Sequence, residues 1–288
     1  MTDSRLTQAG ATVSDPSTGT AAARCKRRVR PVFVLALVAT VVSTFAIRSY
    51  ARDQATPALD RLGGITHLNG ARPPAGLEER GHPLGKAAPL IAPSSSFAFK
   101  TGEPVTWSPC RPIHYVVRPD NGPPDSQALV ASTIAQLSRA TGLVFIDDGT
   151  TTERPTENRP GYLPALYGDR WAPVLITWAT HKEVPRLAGE TGGMAHATLE
   201  IARGQFTYVS GFAILDAPTI KKALSNPKKA HYARIALLHE LAHIVGLGHV
   251  NDPSQVMNPR AGKPFTGYQS GDLAGLRRLG QGPCQPGV

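Results

Sequence analysis

Residues 239–249 read HELAHIVGLGH, and this stretch decides how the whole chain is interpreted. His239 and His243 lie at positions i and i+4, so on a helix their side chains project from one face, with their Cβ atoms about 5–6 Å apart. This spacing allows two imidazole nitrogens to bind one zinc ion at ~2.0–2.1 Å. Gly246 can adopt the left-handed conformation that ends a helix. The chain then turns back, and His249 supplies a third ligand.

Glu240 follows the first histidine and comes round beside the metal without binding it. It is placed to take a proton from a zinc-bound water, as a general base does. Three protein ligands leave the fourth zinc position open, which is typical of a catalytic rather than a structural site. The alternative is a surface helix with two chance histidines. The spacing of Gly246 and His249 and the apolar residues on more than one helix face argue against it, because buried histidines need partners.

The pattern HExxHxxGxxH resembles that of the metzincin zinc endopeptidases, which also carry a later Met-turn. Met257 lies beyond His249 and is followed by Asn258 and Pro259, which resembles the turn of the matrixin branch. Residues 270–280 and 192–197 are similar to the matrixin C-terminal helix and to the edge strand that pairs with extended substrate. The resemblance covers roughly residues 105–284.

This resemblance implies an α+β fold, a metzincin or zincin-like catalytic domain with a mixed twisted sheet, an active-site helix and a C-terminal helix. It implies one catalytic zinc ion, and Met257 as an apolar floor beneath the histidines rather than a ligand. Gly193, Met194 and Ala195 are then the substrate-binding residues of the edge strand.

Matrixins also carry a structural zinc and calcium ions. No acidic loop that would supply partners is visible near His181, so we interpret His181 and His196 as ordinary loop or edge-strand histidines. Calcium remains possible but has no support in the sequence. The cysteine switch of matrixins is absent.

Apolar periodicity supports the same fold class. The pattern predicts strands at 113–117, 143–146, 173–178, 194–201 and 207–215, and helices at 125–140, 229–246 and 273–279. Strands and helices mixed in this order are typical of an α+β or α/β domain of about 180 residues.

The first 50 residues carry seven Lys or Arg against two acids, which is half of the net charge of +10. We interpret residues 1–30 as a disordered basic cytoplasmic tail. Residues 31–47 contain no charge and would span about 25 Å as a helix, at the short end of the transmembrane range. A buried core helix is the alternative, but the segment has no polar face. The basic flank is N-terminal, which keeps that end in the cytoplasm and exports the rest.

We favour an uncleaved signal anchor, although residues 44–46 and 49–51 are passable cleavage sites that would release a secreted form. Residues 48–104 are rich in Pro, Gly and Ala and are interpreted as an extracytoplasmic linker, with an inhibitory pro-segment as the alternative. Residues 105–288 form the metallopeptidase domain. The prediction is therefore a single-pass cell-membrane protein with an extracytoplasmic catalytic domain.

Cys110 and Cys284 lie at the two ends of this domain and would both be exported to an oxidising compartment. We predict a disulfide between them, with two free thiols as the alternative. The bridge would close a long loop and stabilise the domain by several kcal/mol in the chain-entropy model, about 5 at most.

The predicted function is a zinc-dependent endopeptidase acting on extracytoplasmic polypeptides. The competing hypothesis is a membrane-anchored binding domain that keeps zinc for stability and does not cleave. Nucleic acid is not an expected partner, because the basic density flanks the anchor and no aromatic–basic stripe appears in the folded part. We expect a monomer.

Overall fold

The computed structural model describes residues 71–73, 81–189, 192–260 and 263–288, all within the unit Ala55–Val288. The predictions for residues 1–30 and 31–47, and for much of 48–104, lie outside these ranges. Among the described residues, none of the helices has the length and apolar character needed to cross a membrane.

The described residues form a mixed α+β domain, as predicted. In chain order its strands and helices are β1 (Ala98–Phe99), β2 (Thr106–Trp107), β3 (Ile113–Arg118), α1 (Ser126–Thr141), β4 (Phe145–Thr150), α2 (Pro164–Tyr167), β5 (Val174–Ala179), β6 (Gly193–Ala202), β7 (Gln205–Asp216), α3 (Ala217–Leu224), α4 (His231–Ile244), β8 (Leu247–Gly248) and α5 (Ser270–Leu279).

A six-stranded sheet forms the centre of the domain. β7 pairs with β5 and β2 in parallel, β5 pairs with β3, and β3 pairs with β4, also in parallel. β6 is antiparallel to β7 and has no other strand partner among the described residues, so it forms one edge of the sheet.

Alternation along the strands sends side chains to both faces of this sheet. Tyr115, Ile176 and Leu215 belong to the large core that α1, α4 and α5 cover. Val116 and Leu175, their neighbours in sequence, point to the other face and pack in a smaller cluster. Both faces of the central strands are therefore buried, which explains why β5 is apolar apart from Thr177.

α4 is the best-buried helix of the domain. Leu237, Leu238 and Ala242 have no exposed surface, and they lie on different sides of the helix. It packs against β6, β7, α1 and α3. A helix enclosed in this way holds the side chains it carries in fixed positions, which matters because the histidine motif begins on it.

Residues 81–104 lie in the range that the sequence predicts as linker, and in the structure they pack along the domain. The Leu84 N–H donates to the Pro109 carbonyl at 2.9 Å, and Arg277 Nη1 donates to the Ala88 carbonyl at 2.8 Å. β1 pairs with β8, and Phe97 and Phe99 pack against the core. The burial of Phe97 and Phe99 holds this segment against the domain. The segment is too short to show a periodic pattern in the sequence.

Other differences concern the ends of elements and the short helices. β4 begins at Phe145 rather than at residue 143, because the N–H and the carbonyl of Leu143 are hydrogen-bonded to the side chains of Thr141 and Ser138 at the end of α1. The sequence did not predict α2 and α3, which are only four and eight residues long. Both helices have proline at their first or second position, which suits a helix N-terminus.

A disulfide joins Cys110 and Cys284, with 5.3 Å between their Cα atoms. It connects the segment before β3 to the segment after α5. The two ends of the predicted domain are therefore held together covalently.

Candidate metal centre and active site

Three histidine side chains converge at the C-terminal end of α4. His239 and His243 lie on the helix, and His249 follows β8 after the turn at Gly246, where φ is +106°. The Nε2 atoms of His239 and His249 are 3.0 Å apart. His243 Nε2 lies 3.2 Å from that of His239 and 3.1 Å from that of His249. The turn at Gly246 thus brings the third ring against the first two.

Backbone carbonyls orient two of these rings. His239 Nδ1 lies 2.8 Å from the Val256 carbonyl, and His243 Nδ1 lies 2.7 Å from the Leu247 carbonyl. A carbonyl accepts only, so each Nδ1 carries the proton and each Nε2 presents a lone pair. The Nε2 atoms of His239 and His243 therefore both present a lone pair to the point where the three rings converge.

Burial supports the neutral form of all three rings. It lowers the pKa of His239 to about 4, although the hydrogen bond to the Val256 carbonyl opposes the shift. Burial also lowers the pKa of His243 well below its ordinary value, and it lowers that of His249. Neutral imidazole is the form that binds a metal.

The triad fits zinc. Two nitrogens that bind one ion tetrahedrally at ~2.0–2.1 Å lie roughly 3.3 Å apart, which is close to the separations in the structure. Within the ranges that the structure describes, these three residues are the only group of three or more His, Cys, Asp or Glu side chains that could share an ion. Three protein donors leave room for a further ligand.

Glu240 lies beside the triad and against the edge strand. The side chain is only 6% exposed. A Cβ built on Gly193 would lie 3.0 Å from Glu240 Cγ, so the absence of a side chain at this strand position makes room for the carboxylate. Burial raises the pKa of Glu240 to about 8, and the Lys100 ammonium opposes that shift.

The turn around Met257 holds the triad through its backbone. Val256 supplies the carbonyl for His239, and the N–H of Val250, next to His249, donates to the Met257 carbonyl at 3.1 Å. The Met257 side chain is 1% exposed. It packs in the large core, and its place as a floor beneath the histidines stays a prediction.

Asp272 on α5 fixes this turn, and the sequence analysis missed it. Its carboxylate accepts the N–H groups of Val256 at 2.8 Å, Met257 at 3.2 Å and Gln269 at 2.9 Å. The last bond belongs to a capping box at the start of α5. An acid three residues after a polar N-cap is a recognisable signal, but its second role at the Met257 turn depends on how α5 packs.

We expect Asp272→Ala to lower the free energy of unfolding by about 2–4 kcal/mol, because it leaves buried N–H groups without an acceptor. Zinc affinity should fall roughly tenfold or more, because the Val256 carbonyl that orients His239 loses its support. Urea unfolding and zinc titration against a competing chelator measure the two effects. Asp272→Asn keeps one acceptor oxygen and should therefore lose less stability and less zinc affinity. Unchanged zinc affinity in the alanine variant would contradict this role.

Lys100 is a second residue of the site that the sequence analysis missed. Its Nζ donates to the Ala195 carbonyl at 2.9 Å, and its N–H donates to the Gly246 carbonyl at 2.8 Å. Phe97 and Phe99 alternate with Ala98 and Lys100 as they would in a strand, but four residues are too few for that signal to stand out. The residue lies in the range predicted as linker.

The remaining histidines of interest lie away from the triad group. His181 Nε2 is 3.1 Å from Asp216 Oδ1, and Asp216 is fully buried. The ring of His196 on β6 lies 5.7 Å from that of Phe212. The other predicted strand residues, Gly193, Met194 and Ala195, all lie in β6 near its start.

Comparison with known families matches residues 169–279 to the family model described as matrixin. The match runs from the end of α2 to the end of α5 and includes the histidine triad, Glu240 and Met257. Over residues 169–279 the chain is therefore similar to the matrixins. The matrixin domain is a metzincin fold, which agrees with the mixed sheet and with the helix that carries the motif.

Two other comparisons add little to the matrixin assignment. No match was found among curated proteins. A solved structure described as the GM1-bound form of the ECX AB5 holotoxin is 13% identical, with a TM-score of 0.33, over 60% of this chain and 81% of that chain. That likeness is too distant to carry an inference. β2, β3, α1 and Cys110 lie outside the matrixin match, so their roles rest on the structure alone.

Proposed function

We propose that the matrixin domain is a zinc-dependent endopeptidase that hydrolyses peptide bonds in extracytoplasmic proteins. The observation that carries the proposal is the convergence of three Nε2 atoms within 3.0–3.2 Å of one another. Glu240 follows His239 on the same helix, and its carboxyl carbon lies against the start of the edge strand. Zinc, when bound, would supply a Lewis acid and lower the pKa of water to about 7.

The edge of β6 is suited to hold an extended peptide. β6 pairs with β7 on one side only, among the described residues. A peptide that adds to the open side gains main-chain hydrogen bonds without any side-chain requirement. Gly193, Met194 and Ala195 would form the strand positions nearest Glu240, and the missing side chain of Gly193 allows the Glu240 carboxylate to lie against this strand.

Glu240 would move the protons of the hydrolysis. Its carboxylate accepts a proton from the attacking water while the water oxygen forms a bond to the scissile carbonyl carbon. The protonated carboxyl then gives this proton to the leaving nitrogen as the C–N bond breaks. The buried position of Glu240 favours both transfers, because the side chain can hold the proton between the two steps.

The extracytoplasmic location rests on two supports. The disulfide between Cys110 and Cys284 is typical of exported proteins. The uncharged residues 31–47 behind a basic flank are typical of a signal anchor. We propose a single-pass membrane protein on this basis, with a polypeptide substrate as its partner.

A digest of a denatured proteome tests the proposed function. Full-length protein in mild detergent, loaded with zinc, is expected to release new peptide termini that mass spectrometry identifies. Treatment with a zinc chelator should stop their appearance, and restored zinc should bring it back. A zinc-loaded, folded protein that releases no peptides would favour the alternative, a zinc-stabilised binding domain.

A further inference from the structure

The side chain of Lys100 crosses the site from the turn that precedes His249 to the edge strand. Its backbone is fixed at one end by the bond from its N–H to the Gly246 carbonyl and by the pairing of β1 with β8. Its Nζ reaches the Ala195 carbonyl at the other end, at 2.9 Å. The side chain is half-buried.

The Ala195 carbonyl belongs to the open side of β6. The N–H of Asp216 donates to the Gly192 carbonyl at 3.0 Å, so these two residues form a hydrogen-bonded pair. Antiparallel pairs alternate between bonded and non-bonded types. Ala195 lies three residues beyond Gly192 and opposite Ala213. Ala195 and Ala213 therefore form a non-bonded pair, and the N–H and carbonyl of Ala195 point away from β7.

Lys100 thus occupies an acceptor that a peptide on this edge would use. A substrate N–H that pairs with the Ala195 carbonyl therefore competes with the ammonium for this oxygen. Burial lowers the pKa of Lys100, and the charge of Glu240 opposes this shift. In the proposed reaction Glu240 must take a proton, so it is not free to serve as the permanent partner of a displaced lysine.

We propose that Lys100 is a specificity-determining residue, whose ammonium exchanges the Ala195 carbonyl for an acidic side chain of the bound peptide. This inference rests on the proposed peptidase function. A neutral peptide displaces the ammonium and has no carboxylate that could pair with it. A peptide with Glu or Asp at the position facing Lys100 offers a carboxylate, and therefore binds more tightly and is cleaved more readily.

Binding to peptide pairs tests the proposal without turnover. Zinc-loaded, full-length Glu240→Ala protein is titrated with fluorescent, otherwise alanine-rich peptides that carry Glu or Gln at each position in turn. We expect a preference for Glu of roughly fivefold at one position, as for a partly exposed ion pair. Lys100→Met should reduce the Glu-to-Gln ratio to about one and bind the Gln peptides more tightly.

Matched variants separate charge from fold. Lys100→Arg keeps the charge and should retain the preference, whereas Lys100→Glu should favour Lys over Gln at the same position. Lys86→Met, an exposed lysine of the same N-terminal segment, should behave as the parent protein. A Glu preference that survives in Lys100→Met, or that is absent in the parent protein, would overturn the proposal.

Cleavage by protein with intact Glu240 distinguishes the two levels of inference. Sites released from a proteome should be enriched in acidic residues at one fixed distance from the scissile bond, and Lys100→Met should remove this enrichment. Cleavage without any such enrichment would contradict the role of Lys100 and leave the peptidase proposal intact. Absence of all cleavage, with the binding preference intact, sinks the peptidase proposal and leaves the peptide-selecting role of Lys100.

Discussion

Glu240→Ala is expected to lower the rate of casein hydrolysis by roughly 10²–10⁴-fold, the usual contribution of a positioned general acid–base group. Glu240 lies next to the triad and is not one of its three converging donors, so zinc binding should persist. The variant removes a buried carboxyl whose ionised form is costly in this environment, so the fold should persist as well. Release of labelled fragments from casein measures the rate.

Two measurements accompany the rate. The zinc content per chain, from atomic absorption, should remain near one, and the circular dichroism spectrum should match that of the unmodified protein. Glu103→Ala serves as the control, since Glu103 is an exposed carboxylate of the segment before β2. Casein hydrolysis that continues at the original rate in the Glu240 variant would remove Glu240 from the mechanism.

Glu153→Ala is expected to lower the free energy of unfolding by about 3–5 kcal/mol, because it leaves a buried guanidinium without its counter-charge. Glu153 accepts two hydrogen bonds from Arg159, at 2.6 and 3.0 Å, and a third from the hydroxyl of Tyr167 at 2.6 Å. Arg159 is 2% exposed. It also donates to the Gly211 and Pro173 carbonyls, so its charge is held inside the domain.

Urea unfolding of the zinc-loaded protein measures this loss. Glu157→Ala is the matched control, because Glu157 pairs with Arg186 at 3.2 Å while the Arg186 side chain is 73% exposed. That change should cost about 0–1 kcal/mol. Replacement of both Glu153 and Arg159 by leucine should cost less than Glu153→Ala, since no buried charge remains. Equal, small effects of the Glu153 and Glu157 variants would contradict the role assigned to the buried pair.

The candidate metal centre could be predicted from sequence because its ligands are close together in the chain. The positions of His239 and His243 are set by helix geometry, and His249 is brought back by one turn at Gly246. Local geometry of this kind depends on few residues. The α+β class was likewise predictable, since apolar periodicity marks the long strands and helices that make up the core.

The contacts that support the site from distant parts of the chain could not be predicted in the same way. Lys100 reaches Ala195, and Asp272 reaches Val256, through contacts between segments that are distant in sequence. β1 has two residues and no pattern that would mark it as a strand. Its place depends on the burial of Phe97 and Phe99 against a core that forms only when the sheet and helices assemble.

The sequence by itself determined the three histidines, Glu240 beside them and the class of fold, because helix pitch and strand alternation are local properties. Only the tertiary structure decided which carbonyls orient the rings, which carboxylate fixes the Met257 turn and which ammonium lies on the edge strand. Those contacts depend on how α5, β1 and β6 pack, and packing is set by the burial of the whole core rather than by any one segment.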